Sequence, residues 1–122
     1  TLEHVIENIQ TLSNPQRLTK EQHSALDEVG SFMRSQLGNG CTTCSYCMPC
    51  PYGVDIPGNF EIWNTYRLFG QYELVQKRWE NMGESGASAC TECMTCVPLC
   101  PQEIPIPFDL ARLQEELTQR AL

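Results

Sequence analysis

Eight cysteines stand in two short runs, Cys41, Cys44, Cys47 and Cys50, then Cys90, Cys93, Cys96 and Cys100, and each run ends in a Cys-Pro pair. A Cys-x2-Cys-x2-Cys step lets one loop wrap three thiolates round one face of an iron-sulfur cubane, with a fourth thiolate completing the set. The pattern predicts two [4Fe-4S] clusters and, as their chemistry, transfer of one electron at a time. The last cysteine of each run, followed by Pro51 or Pro101, is carried away from its own loop, and in two-cluster proteins such a residue ligates the other cluster. On this reading Cys41, Cys44, Cys47 and Cys100 hold the first cluster, and Cys90, Cys93, Cys96 and Cys50 hold the second. The gap before the last cysteine is two residues in the first run (Met48-Pro49) and three in the second (Val97-Pro98-Leu99). Only the longer gap matches the common bacterial spacing, so the shorter one leaves room for Cys50 to serve its own cluster.

Two other uses of eight cysteines compete. All-cysteine zinc sites are usually built from paired Cys-x2-Cys knuckles far apart, not from four cysteines in one run. Disulfides would have to close strained loops of residues three apart or bridge the runs, and they persist in oxidising compartments, whereas a reducing, cytoplasmic setting suits this chain better. Met48, Pro49, Met94, Val97 and Pro98 lie between the ligands and are expected to shield the sulfurs. Phe60, Trp63, Tyr66 and Trp79 fall on helical stripes and are expected in the core; His4 and His23 are expected at the surface. No Ser-His-Asp set, phosphate-cradling glycine loop or paired carboxylate site is visible, so no complete catalytic site is expected.

The elements that must carry these loops are helical. Leu2, Val5, Ile6, Ile9 and Leu12 recur at helical spacing and predict a helix over 2–12, closed by Ser13, Asn14 and Pro15. Thr19 with Gln22 forms a capping box ahead of a stripe at Ala25, Leu26, Val29, Phe32, Met33 and Leu37, which predicts a helix over 20–37. Further helices are expected over about 58–69, over a short stretch near 74–82, and from Pro107 along Leu110, Leu113, Leu117 and Ala121. Nothing alternates with period two. The fold class expected is all-α: two helices, residues 1–38, ahead of a two-cluster domain, residues 39–122. A shift of fifty residues aligns CPYGVDIP at 50–57 with CPQEIPIP at 100–107, so two half-sites with the same exit geometry are expected, each feeding a helix that packs on a cluster.

At 122 residues the chain has the size of one compact domain, about 100 to 150 residues being the commonest. No apolar run approaches the roughly 20 residues of a membrane span, and the N-terminus lacks the basic and apolar regions of a secretory signal. It does not begin with methionine, so a processed product or a fragment is expected. The formal charge of -7 excludes the basic footprint that nucleic acid requires. Eight thiolates add eight negative charges and two cores in the 2+ state return four, taking the loaded chain to about -11. This excess serves solubility; the sharper reading is an acidic face that steers a basic redox partner.

CTTCSYCMPCPYGVDIPGNFEIWN followed by CTECMTCVPLCPQEIPIP resembles the C-terminal iron-sulfur domain of the ferredoxin-containing aldo/keto reductase family. The resemblance rests on the first run with Tyr46 and Met48-Pro49, on the Val54-Asp55-Ile56-Pro57 exit, and on the Cys-Pro-Gln ending of the second run. ENIQTL and LTKEQ are similar, more weakly, to the end of that family's barrel and its linker. The resemblance implies an α-helical ferredoxin-type domain with two [4Fe-4S] clusters, attached in the parent protein to an NAD(P)H-dependent barrel. The barrel's catalytic Asp, Tyr, Lys and His have no counterparts here, so the expected role is an electron-transfer module of a larger oxidoreductase, with the barrel and a redox protein as partners. The alternative is a structural or interaction domain whose clusters hold shape without cycling electrons.

Overall fold

The computed structural model describes residues 1–13 and 15–120. Asn14 and Ala121, which the sequence reading placed at the end of the first helix and in the last stripe, lie outside the described residues. Among the described residues there is no strand, and the all-α class holds. Five helices form: α1 (Leu2–Ser13), α2 (Lys20–Gln36), α3 (Ile56–Phe69), α4 (Gln76–Glu80) and α5 (Ile106–Arg120), with four single 3-10 turns between residues 72 and 99. The chain divides into two compact units, residues 1–32 and 33–122.

In the first unit α1 carries no buried residue, and Leu2, Val5, Ile6, Ile9 and Leu12 are exposed. The capping box at the start of α2 forms as expected: the Gln22 side chain accepts from the Thr19 N–H at 2.9 Å and the Thr19 hydroxyl accepts from the Gln22 N–H at 3.3 Å. Its stripe residues Leu26, Val29 and Phe32 are exposed as well.

The second unit contains the core. α3 begins two residues earlier than its apolar spacing suggests, because Asp55 caps it by accepting from the Gly58 N–H at 3.0 Å and Pro57 occupies its first turn. It stops at Gly70, which adopts φ 66° and returns its N–H to the Tyr66 carbonyl at 2.7 Å. The expected helix near 74–82 is split into a 3-10 turn at Tyr72–Leu74 and α4; Val75, at the join, is fully buried, while Leu74 is exposed. Phe69, the last residue of the helix, also faces water. α3 and α5 pack together through Phe60, Trp63, Leu110, Leu113 and Leu117, all buried. Tyr66 is buried and Trp79 is half-buried against the same core; His4 and His23 are exposed.

The fifty-residue repeat extends well beyond the eight aligned positions. Backbone hydrogen bonds recur in pairs: Met48 to Ser45 and Val97 to Met94, Gly53 to Cys50 and Glu103 to Cys100, Ile56 to Val54 and Ile106 to Ile104, Asn59 to Asp55 and Asp109 to Pro105, all between 2.8 and 3.1 Å. Left-handed backbone recurs too, at Thr43 and Ser45 in the first run and at Glu92 and Met94 in the second, then at Gly53 and Glu103 after the two Cys-Pro pairs. The two cysteine loops thus share one backbone course up to the third cysteine and again after the Cys-Pro pair; between them Met48-Pro49 is cis in the first and Val97–Leu99 forms a 3-10 turn in the second.

Candidate metal centre

Each cysteine loop is held at its entrance by a polar clamp from a helix. Asn64 of α3 accepts from the N–H groups of Gly38 and Asn39 at 2.8 and 3.2 Å and donates to the Asn39 carbonyl at 3.2 Å. The Asn39 side chain in turn accepts from the Cys41 N–H at 3.2 Å and donates to the buried carboxylate of Asp109 at 3.1 Å. At the equivalent place in the repeat, fully buried Asn59 donates to the Ser85 carbonyl at 3.0 Å and to the Asp55 carbonyl at 2.7 Å. Thus α3, through Asn59, secures the approach to the second run, and α5, through Asp109, secures the approach to the first. The residue type follows the partner: an amide meets a carbonyl at 59, and a carboxylate meets an amide at 109.

Within the loops, non-glycine residues accept left-handed φ of 55 to 64° at Thr43, Ser45, Glu92 and Met94. Such backbone costs about 1–3 kcal/mol per residue and persists where the surroundings demand it. Alternation of this kind gathers main-chain N–H groups into a concavity suited to anions, iron-sulfur cores among them. One such donor is in place, the Thr43 N–H lying 3.4 Å from Cys41 Sγ.

Two small cavities result. Cys41, Cys44, Cys47 and Cys100 surround the first. Cys50, Cys90, Cys93 and Cys96 surround the second. Pro57 and Phe60 from the start of α3, with Ile104 and Ile106, line the first; Pro107 and Leu110 from the start of α5, with Val54, line the second; Ile56 lines both. The first turn of one helix therefore walls each cavity, where the positive end of its dipole favours negative charge.

Burial pushes the thiols of Cys41 and Cys47 up, and that of Cys96 up to about 11. Cys93 is fully exposed, and bonding from Thr95 holds its thiol below the ordinary range. Thiols raised by burial stay protonated at neutral pH until a metal displaces the proton. All eight are free thiols. Among the described residues no three Cys, His, Asp or Glu side chains close on a point as they would around one ion. Each foursome rings a space, the arrangement that a four-iron core fits.

Sequence reasoning brought the eight cysteines to attention but missed most of the wall. Of the five residues expected to shield sulfurs, Met94 lines the second cavity; Met48, Pro49, Val97 and Pro98 line neither. Most of the apolar wall comes instead from the exits and helix starts, while Thr42 and Ser45 join the first cavity and Thr91 the second, and Met48 packs on the core. The signal available was the repeat, whose Val54/Ile104 and Ile56/Ile106 pairs supply these walls.

An all-helical unit with two apolar cavities, each ringed by four thiols, defines a small ferredoxin-type protein with two [4Fe-4S] clusters as its cofactors. Residues 40–104 match the family of 4Fe-4S dicluster domains, and the chain belongs to that family. No curated protein and no solved structure gives a match.

Proposed function

We propose that the chain is the electron-transfer module of a larger oxidoreductase, with its two [4Fe-4S] clusters held in crossed fashion: Cys41, Cys44, Cys47 and Cys100 on one, Cys50, Cys90, Cys93 and Cys96 on the other. The observation that carries this reading is that each cavity is ringed by three cysteines of one run and the last cysteine of the other. When bound, each cluster supplies a one-electron store. The residues of the chain do the rest. Ile56, Phe60, Ile104 and Leu110 exclude water from the cavities, the Thr43 N–H and the helix starts favour their negative charge, and Ile56, common to both walls, keeps the two sites adjacent.

The parent we propose is of the aldo/keto reductase type, with an NAD(P)H-dependent barrel joined through residues 1–38 to the two-cluster domain at 39–122, and a redox protein as the other partner. What supports this is the joint occurrence of the first cysteine run with Tyr46 and Met48-Pro49, the Val54-Asp55-Ile56-Pro57 exit and the Cys-Pro-Gln ending. Eight free thiols suit a reducing, cytoplasmic setting; among the described residues no helix is long and apolar enough to cross a membrane.

The test is anaerobic stepwise reduction of the loaded protein followed by paramagnetic resonance. Two reducible clusters are expected; redox-silent clusters would reassign the domain to a structural role. Cys41→Ser and Cys100→Ser should disturb one cluster, and Cys50→Ser and Cys90→Ser the other, each lowering iron from about eight towards about four per chain. Loss of the same cluster in Cys41→Ser and Cys50→Ser would refute the crossing.

A further inference from the structure

Two surface grooves of the cysteine-bearing unit are mates under the internal repeat. Cys41, Thr43, Glu61, Asn64, Leu68 and Phe69 line one. Their counterparts Cys90, Glu92, Ala111, Gln114, Thr118 and Gln119 line the other. Each groove runs between the first cysteine of a run and the outer face of the helix that walls the same cavity. That the fold builds it twice marks it as a feature of the architecture. The two differ in size, about 210 Å3 beside Cys41 and about 550 Å3 beside Cys90. At two matched positions the larger groove has the smaller side chain, Ala111 for Glu61 and Thr118 for Leu68. Only the larger lies in the range of about 300–1,000 Å3 usual for binding sites.

The larger groove has a distinct chemistry. Ala87, Pro107 and Ala111 make its floor apolar, Glu92 and Glu115 stand on its rim, and no lysine or arginine lines it. Glu115 accepts from the Gln119 amide at 3.3 Å, and neither carboxylate meets a cation among the described residues. An apolar trough with unpaired carboxylates at its edge, in a chain of formal charge -7, complements an apolar edge ringed by positive charge.

We propose that the groove beside Cys90 is the docking site of a cationic electron-transfer protein, which lays an apolar, lysine- or arginine-ringed edge against Ala87, Pro107 and Ala111. This rests on the electron-transfer reading and assigns its partner surface. The trough brings the partner's edge to Cys90, a member of the second foursome, while the groove beside Cys41 is the narrower of the two.

Cytochrome c, whose haem edge is ringed by lysines, serves as the probe against the fully loaded protein at low ionic strength. Carbodiimide cross-linking with mass mapping is expected to join its lysines to Glu92 and Glu115. In calorimetry the double variant Glu92→Gln/Glu115→Gln should bind about fivefold or more weakly. Thr118→Leu, which installs the side chain present in the first groove, should also weaken binding, while Leu68→Thr leaves it unchanged. Cross-links confined to carboxylates outside the groove, such as Glu73 or Glu84, would overturn the assignment, as would a Kd unmoved by these variants. So would saturable binding of free FMN that competes at the groove, which would indicate a small planar carrier, or concentration-dependent self-association abolished by Thr118→Leu, which would indicate a second copy. Paramagnetic resonance on the same samples separates the failures. If the clusters reduce normally and the groove variants bind like the parent protein, only the groove assignment falls; if they do not reduce, the electron-transfer reading falls and the docking proposal with it.

Discussion

Gly38→Ala should be among the most damaging single-methyl changes in the chain. A Cβ at residue 38 would lie 2.5 Å from Cδ2 and Cε3 of Trp63 and 2.7 Å from Cε2, where contact normally begins at about 3.5 Å. Neither side can yield. Trp63 is fully buried, its indole N–H donates to Glu116 at 2.9 Å, and the guanidinium groups of Arg67 and Arg112 lie 5.8 and 5.3 Å from its ring centre. The main chain at 38 is tied to Asn64, the residue after Trp63, at 2.8 Å, so lifting it off the ring strains that bond. Overpacking costs about 1–3 kcal/mol and a strained hydrogen bond about 0.5–1.5, offset by about 0.4–1 from the stiffer unfolded chain, for a net loss of about 2 kcal/mol. Because the clamp continues through Asn39 to the Cys41 N–H, the first foursome should lose iron before the second. The assay is anaerobic guanidinium titration followed by helical dichroism and by the visible absorbance of the loaded clusters. Gly40→Ala is the matched control, since nothing lies within 4 Å of its Cβ, and it should be neutral or slightly stabilising. Midpoints for the two variants agreeing within about 0.5 kcal/mol would refute the packing of residue 38 against Trp63.

Ile56→Ala, which opens both cavities, should cost about 2–5 kcal/mol and speed bleaching of both clusters in air, whereas Phe60→Ala should expose the first and Leu110→Ala the second; equal bleaching of both clusters in all three would contradict the wall assignments. Asn59→Asp should destabilise by about 3–5 kcal/mol at neutral pH, since a buried carboxylate would face the carbonyls of Asp55 and Ser85. Part of that loss should return on mild acidification, when the protonated acid can donate again, and a pH-independent loss would point elsewhere. Glu61 is held below its ordinary 4.5 by the side chain of Arg78, 2.8 Å away. The depressed carboxyl stabilises the fold above its unfolded value, and that contribution fades as pH falls through the folded value. Glu61→Gln should therefore cost up to about 1 kcal/mol at pH 7, the pair being half-exposed, and nothing once Glu61 is protonated; denaturation midpoints at several pH values check this.

Asn59 and Asp109 show how the two halves use one plan. Both occupy the fourth position of a helix that starts at an Ile-Pro pair, both are buried, and each reaches the segment leading into a cysteine run. Their roles were not legible in the sequence, where one reads as an ordinary polar residue and the other as a first-turn acid, because the partners lie 26 and 70 residues away. The start of α3 was missed by two residues for a related reason: Ile56 and Pro57 look like loop until Asp55 is seen to cap them. Phe69 and Leu74 continue apolar spacing but end at the surface, since the chain turns at Gly70 and the 3-10 turn at 72–74 rotates the side chains that follow.

The spacing of the cysteines, the helical class, the capping box and the internal repeat could all be read from the sequence alone, because each is a relation among residues a few positions apart or a match between two short segments. The eight thiols and their cluster chemistry belong to that group. Tertiary structure alone decided which thiols share a cavity, that Ile56 borders both, that the exits and helix starts supply the apolar walls, and that one of two equivalent grooves is open. These depend on how α3 and α5 pack across the repeat, and packing is fixed by side-chain volumes meeting over distances that no local pattern records.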